Sequence, residues 1–141
     1  MSNNEYVDKL KRCTKLQVKK SQIGGYGVFA AKDIKEGDIL EEAIFVRTGY
    51  RSKELMHDEL RQILYTYPCD CDDCKYRGRY LVLASGFINL YNHSEPPDVK
   101  FDWFLKKRFI RVSAIRDIEK GTEVFHNYGP DYGSLMKEVK V

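Results

Sequence analysis

No stretch of the chain comes near the ~20 uncharged apolar residues that a membrane-crossing helix needs, so a helical membrane protein is not expected. The opening residues Met1-Ser-Asn-Asn-Glu-Tyr6 lack the basic-then-apolar pattern of a secretory leader, and the expectation is an intracellular protein. An excess of one charge sign is missing as well. The 24 basic and 21 acidic residues leave +3, too little to argue by itself for direct nucleic-acid binding. No G-x-S-x-G elbow accompanies a histidine, which leaves a nucleophilic triad without support. At 141 residues with 43% apolar and 32% charged side chains, the composition is that of one folded domain, neither a disordered chain nor two domains.

What the chain has is tyrosine, ten of them beside seven phenylalanines and one tryptophan. A tyrosine is a large apolar body with a hydrogen-bonding tip that stays neutral at pH 7, so several can line a pocket; half-exposed strand positions favour tyrosine too. The four cysteines are Cys13, Cys69, Cys71 and Cys74. In a reducing compartment they read as thiols or metal ligands rather than disulfides. Cys69-Asp-Cys71-Asp-Asp-Cys74 offers three thiolates, but a structural zinc site wants four ligands, with Cys13 or His57 a candidate fourth. The interleaved aspartates suit a solvated loop. No metal is expected, with a zinc site at Cys69, Cys71 and Cys74 as the alternative.

Periodicity indicates many short strands. Lys15 to Lys19 alternates, a glycine-rich turn from Ile23 leads into an apolar strand ending at Ala30, and Ile39 to Arg47 forms another. From a Ser52 cap, Leu55, Met56, Leu60, Ile63 and Leu64 share one face of a helix that should stop near Tyr67-Pro68. Tyr80 to Ala84 is short and apolar, and Asn92 to Pro97 reads as a polar loop. Val99 to Leu105 and Arg108 to Ala114 form a hairpin turned at Lys106-Lys107, and Glu123 to Asn127 is a last strand. Asp33-Ile-Lys-Glu-Gly37 and Asp117-Ile-Glu-Lys-Gly121 are similar turns, too few for a repeat architecture.

Taken singly, the motifs are weak. Gly25-Tyr-Gly-Val-Phe-Ala30 matches G-x-G-x-x-A, yet Gly37 interrupts the long helix a dinucleotide site needs and the acidic residue about 20 positions on is missing. What remains is a loop where glycines let the backbone approach something closely. Asn92-His93-Ser94 fits a glycosylation sequon that an intracellular chain would not use, and is equally a loop satisfying nearby backbone groups. His126-Asn-Tyr-Gly-Pro-Asp-Tyr132 could be a C-terminal turn with aromatic packing. In order, however, Gly25-Tyr-Gly-Val-Phe-Ala30, Gly86-Phe-Ile-Asn-Leu-Tyr-Asn-His-Ser94 and Gly121-Thr-Glu-Val-Phe-His-Asn-Tyr-Gly129 resemble the SET-domain protein lysine methyltransferases. The likeness runs from about Lys19 to Tyr132. The Lys19 to Ala30 run and the compact length are most similar to the minimal SET proteins of large DNA viruses and some bacteria.

The resemblance implies a mainly β, β-rich α+β fold of small sheets with one inserted helix, its C-terminal segment threading under a loop as a pseudo-knot, against the general rule. It implies an N-terminal extension over 1–14, a single SET domain over 15–135 with an inserted segment about 50–80, and a tail over 136–141. It implies S-adenosyl-L-methionine as cofactor, entering from one face while the target lysine enters a channel from the other. Tyr128 matches the catalytic tyrosine, touching both the amine and the cofactor's methyl end. Gly25, Tyr26 and Gly27 match the loop around the cofactor's methionine part, and Asn92 and His93 the pair that grips it, largely through backbone contacts. Tyr132 and, from the inserted segment, Tyr65 (with Tyr67 its rival) match lysine-channel tyrosines. His126 stands in that channel, two before Tyr128, where phenylalanine or tyrosine tunes how many methyls are added. Chemistry agrees with these residue types. In-line methyl transfer needs alignment rather than a side-chain nucleophile. The lysine, with an ordinary pKa of ~10.4, must lose its proton, which an apolar channel ending at a sulfonium favours.

Departures from the family pattern are Glu95, where larger members place a zinc-binding cysteine, and Asp98 in place of an asparagine. The expected substrate is a basic protein, with a histone H3 tail the favoured case, drawn by Asp70, Asp72, Asp73, Glu95, Asp98 and Asp131. No membrane and no direct nucleic-acid partner is expected. A homodimer and a location in the cytoplasm, or in a host nucleus for a viral protein, follow from the same likeness. The alternatives are a catalytically weak SET module that binds a peptide or protein, and a small metal-binding adaptor built on the cysteines.

Overall fold

Alternating apolar and polar residues resolve into short strands in the computed structural model, which describes residues 10–11, 14–50, 65–66, 68 and 80–127. In chain order these are β1 (Leu16–Lys20), β2 (Tyr26–Ala30), β3 (Ile39–Tyr50), β4 (Tyr65–Thr66), β5 (Tyr80–Ala84), β6 (Asn92–His93), β7 (Val99–Phe104), β8 (Phe109–Ala114) and β9 (Glu123–His126), with a 3-10 turn at Ile88–Leu90. The fold is mainly β, and no α-helix occurs among the described residues. The helix expected from Ser52 lies on residues outside that set, except at its end, where Tyr65 and Thr66 form a strand instead. A second correction concerns Asn92 and His93. They form a short parallel strand against β9 rather than a loop, because the sheet supplies partners for their backbone groups that local sequence cannot reveal.

Two compact units divide the chain, residues 1–45 with 84–127 and residues 46–83 with 128–141. The first holds a four-stranded sheet in the order β1-β2-β9-β6. Within it β1 and β2 pair antiparallel from Leu16 opposite Ala30 to Lys20 opposite Tyr26, and Val28 faces Val124 across β2 and β9. β6 and β9 are parallel, so the chain between them must make a full crossover, which the β7–β8 hairpin provides. In the same unit β8 lies between β3 and β7. A strand covered on both sides reads as a nearly continuous apolar run, and β8 is buried at every position except Arg111. Its hairpin turn closes at the expected place, with Arg108 in the left-handed region at φ 61° and its N–H donating to Phe104 O at 2.8 Å. Val28, Ala30, Leu40, Ala43, Ile88, Ile110, Val112 and Val124 form the buried centre. In the second unit β4 pairs antiparallel with β5, Tyr65 opposite Val82 and Thr66 opposite Leu81, and Thr48 Oγ1 donates to Leu81 O at 3.2 Å.

The two similar D-I-x-x-G turns meet each other. Ile34 and Ile118 form an antiparallel bridge, with N–H to O distances of 2.9 and 2.8 Å. Every other bond of the contact also comes in a matched pair. Asp33 Oδ1 accepts from Lys120 N–H at 2.9 Å and Asp117 Oδ1 from Glu36 N–H at 2.8 Å. Gly121 N–H donates to Ala30 O and Gly37 N–H to Ala114 O, both at 2.8 Å. Ala30 N–H donates to Thr122 O and Ala114 N–H to Asp38 O, both at 2.9 Å. Gly37 and Gly121 turn at φ 92° and 91°, a conformation other residues reach only with strain. The result is a clasp with approximate two-fold symmetry that ties the exit of β2 to the entry of β9 and the exit of β8 to the entry of β3. Asp33→Ala and Asp117→Ala should therefore each cost about 1 kcal/mol in chemical denaturation. Clearly unequal losses would show that the two halves do not share the load.

Candidate functional site

The turn between β1 and β2 is closed by Ser21 N–H to Gly25 O at 2.9 Å and by Gly24 at φ 124° and Gly25 at φ 59°. A Cβ built on either glycine would meet nothing within 4 Å, so this backbone faces open space. Tyr26 follows with 63% of its surface exposed. Gly27 is the opposite case. A Cβ there would overlap Glu123 Oε2 and stand 2.9 Å from Asn92 Nδ2, so any side chain at residue 27 would have to displace that hydrogen-bonded pair.

That crowding comes from one carboxylate. Glu123, at the start of β9, accepts at Oε1 from Ser21 Oγ at 2.7 Å and at Oε2 from Asn92 Nδ2 at 2.7 Å, and the same amide donates to Tyr26 O at 3.2 Å. Three sequence-distant segments, the glycine turn, β6 and β9, thus converge on a single side chain. The Asn92 side-chain nitrogen is thus engaged within the protein. The open glycine backbone leaves room for a ligand to approach closely, with the exposed Tyr26 ring beside it.

The parallel register sets His93 beside His126. His126 stacks on Phe101 at 3.6 Å between ring centroids and 6° between planes. Burial, reinforced by the like charge of His93, pushes the His126 imidazole down to about 4 from its ordinary 6.5, so it is neutral at physiological pH. Upstream, Asp98 corrects an expectation. It does not offer charge to solvent, being only 4% exposed. Its Oδ1 accepts from Arg116 Nε at 2.6 Å and also pairs with the Nη2 of that guanidinium. Its Oδ2 accepts from Phe125 N–H at 2.9 Å, and its own N–H returns to Phe125 O at 2.9 Å. The aspartate pins β9 just ahead of the residues that lead to Tyr128. A cavity of about 310 Å³ lies against this pair, lined by Asp98, Arg116, Glu123 and Phe125 but not by the glycine turn, Asn92 or His93.

Of the residues singled out in the sequence, Gly25, Tyr26, Gly27, Asn92, His93 and His126 belong to one unit, where Glu123 links the glycine turn, through Ser21, to Asn92. Tyr65 sits in β4 of the other unit. Tyr128, Tyr132 and the alternative metal ligands Cys69, Cys71 and Cys74 lie outside the described residues, among which no cluster of three or more metal-binding side chains occurs. Two contributors had escaped sequence reading: Ser21 and Glu123. For Glu123 a weak signal existed, since alternation in Glu123-Val-Phe125 puts it opposite the buried Val124.

Comparison with known proteins adds an independent line. A family model described as SET domain matches residues 25–129. The chain is 28% identical over 130 residues to a variant-silencing SET domain-containing protein of Plasmodium falciparum, covering 83% of this chain and 5% of that protein. It is 30% identical over 127 residues to the histone-lysine N-methyltransferase EZH2 of Chaetomium thermophilum, covering 82% of this chain and 8% of that protein. It therefore spans only a small part of either relative. Among solved structures, Chaetomium thermophilum Polycomb Repressive Complex 2, in an autoinhibited conformation bound to S-adenosylmethionine, shares the fold with a TM-score of 0.59 at 23% identity, over 90% of this chain and 16% of that one.

The histidine gives a test by pH. A depressed pKa means that the unfolded chain binds a proton which the folded chain refuses, so stability is complete above pH 6.5 and falls as pH drops toward 4. The shift is worth ~3 kcal/mol over that interval. Urea denaturation at pH 7 and pH 4.5 should show His126→Phe losing distinctly less stability than the wild type; parallel losses would place the imidazole in water.

Proposed function

From the premise that the chain belongs to the SET-domain family, we propose that it transfers methyl groups from S-adenosyl-L-methionine to the side-chain amine of a protein lysine. The observation that carries this is the junction at Glu123, where the open glycine turn, the Asn92–His93 strand and the strand running toward Tyr128 are held together. The cofactor, when bound, supplies an electrophilic methyl group on a sulfonium. Gly25, Tyr26 and Gly27 would take its amino-acid portion, and the backbone of Asn92 and His93 its base. Tyr128 would orient the neutral amine through a hydroxyl that does not itself pair with a cation. His126, kept uncharged by burial, leaves the approach polar without a carboxylate that would hold the proton on the lysine. With an imidazole at the position that governs methyl number, product multiplicity is set by what His126 leaves room for.

The preferred substrate in this reading is a basic protein, and a histone is favoured because one relative carries the name histone-lysine N-methyltransferase; an H3 tail is our first choice among histones. The finer affiliation we favour is with the minimal viral and bacterial SET proteins, on the Lys19 to Ala30 run. On the family likeness Tyr65 and Tyr132 are assigned to the lysine channel, and Asp98, being buried, drops out of the set of acids that attract the peptide.

Calorimetry should detect S-adenosylmethionine binding, and labelled cofactor with a histone mixture should mark lysines identifiable by mass spectrometry. Tyr128→Phe should lower turnover on the order of a hundredfold while leaving cofactor affinity nearly unchanged. Binding without transfer to any protein would favour the non-catalytic module instead, and undiminished turnover in the variant would remove Tyr128 from its role.

A further inference from the structure

β3 carries a carboxylate into the core. Glu41 is 1% exposed, on the inward face with Ala43 and Phe45, whereas its neighbour Glu42 turns outward to Arg111 Nε at 2.7 Å. Burying a carboxylate costs several kcal/mol unless its oxygens are satisfied. Both are. Oε1 accepts from Phe87 N–H at 3.0 Å and Oε2 from Tyr91 Oη–H at 2.7 Å. These donors stand at the two ends of the turn that contains Ile88–Leu90, so one side chain spans the whole turn. Gly86, at φ 66°, is required by the same contact, because a Cβ there would overlap Glu41 Oε1. Burial pushes the Glu41 carboxyl up, and the two donors oppose that shift.

The turn delivers the chain straight into Asn92 and His93. The second arm of the contact goes further. The Tyr91 ring meets Phe101 edge-on, 5.6 Å between centroids and 71° between planes, and Phe101 stacks on His126 in β9. We infer that Glu41 is a positioning residue, whose carboxylate sets the 86–91 turn and thereby the placement of Asn92 and His93 against the cofactor. This rests on the methyl-transfer reading above. Glu41 touches neither cofactor nor amine in this scheme; it acts through Phe87 and Tyr91.

Such a role predicts a change in cofactor affinity without a change in turnover at saturation. Tyr91→Phe removes one donor to a charged acceptor and should raise the S-adenosylmethionine dissociation constant about tenfold, with turnover at saturating cofactor within about twofold. Glu41→Leu, losing both acceptors, should weaken binding further. Glu41→Gln should restore most of it, since the amide oxygen can accept from Phe87 N–H while its NH2 donates to a reversed Tyr91 hydroxyl. A readout independent of the cofactor is amide hydrogen exchange in the unliganded full chain. Phe87 N–H, and Ser94 N–H, which donates to His126 O at 3.1 Å, should exchange at least about tenfold faster in Glu41→Leu and recover in Glu41→Gln. If exchange and affinity are unchanged in Glu41→Leu and Tyr91→Phe, the inference is overturned; if turnover falls while affinity and exchange hold, it is overturned as well. Should the wild type bind no S-adenosylmethionine, the methyl-transfer reading fails, and the exchange data still decide whether Glu41 sets the turn.

Discussion

The carboxylate of Glu123 is the point on which the site depends. Ser21 lies 102 residues before it and Asn92 31 residues before it, yet both donate to its two oxygens at 2.7 Å. Neither hydrogen bond is strong by itself in water, but closing such distant loops costs entropy only once. When β2, β9 and β6 are aligned in their sheet, the carboxylate finds both donors already in place, and it fixes where the glycine turn sits relative to the Asn92 backbone. A side chain at residue 27 would have to displace this carboxylate from its bond to Asn92. The glycine of the motif is thus explained by a glutamate nearly a hundred positions away.

Two further acids reach the interior, and each is satisfied differently. Asp98 is matched by a guanidinium that remains 53% exposed, so its partner keeps much of its hydration while the aspartate turns its other oxygen to the backbone of β9. Glu41 has a hydroxyl and an amide as its donors, and burial raises its proton affinity accordingly. Partnered in either way, a buried polar group selects one register: sliding the strand that carries it would strand the charge. All three acids bear on β6 or β9 or their lead-ins, the two short strands that bring Asn92, His93 and His126 side by side. Short strands gain little from their own ladders, and these carboxylates add directional bonds where backbone pairing is briefest.

Much of the scaffold was legible from periodicity. The strands at Leu16–Lys20, Tyr26–Ala30, Val99–Phe104 and Phe109–Ala114 follow from alternation and from turn residues between them. The strand from Ile39 was legible in kind but not in facing. Glu41 and Glu42 are adjacent and identical, and Ala43, Ile44, Phe45 and Val46 are all apolar, so nothing local says which parity points inward; Ile44 and Val46 prove to be the exposed pair, at 54% and 53%. Asn92–His93 was misjudged because a two-residue strand has no period to read, and it exists only through β9. The end of the expected helix was misjudged for a related reason: Tyr65 and Thr66 pair with Val82 and Leu81, a pairing that no local rule encodes.

By itself, then, the sequence determined the mainly β class, the ordered glycine, Asn-His and tyrosine motifs, and with them the family, because these depend on residue type and spacing along the chain. It also determined that the two D-I-x-x-G turns are alike. That they clasp one another, that Asp98 is buried against Arg116 rather than displayed to a basic peptide, and that Glu41 and Glu123 hold the site from within were decided only by tertiary structure. The reason is physical: whether a carboxylate is solvated, paired or buried depends on donors brought from elsewhere in the chain, and the same residue letter is compatible with all three.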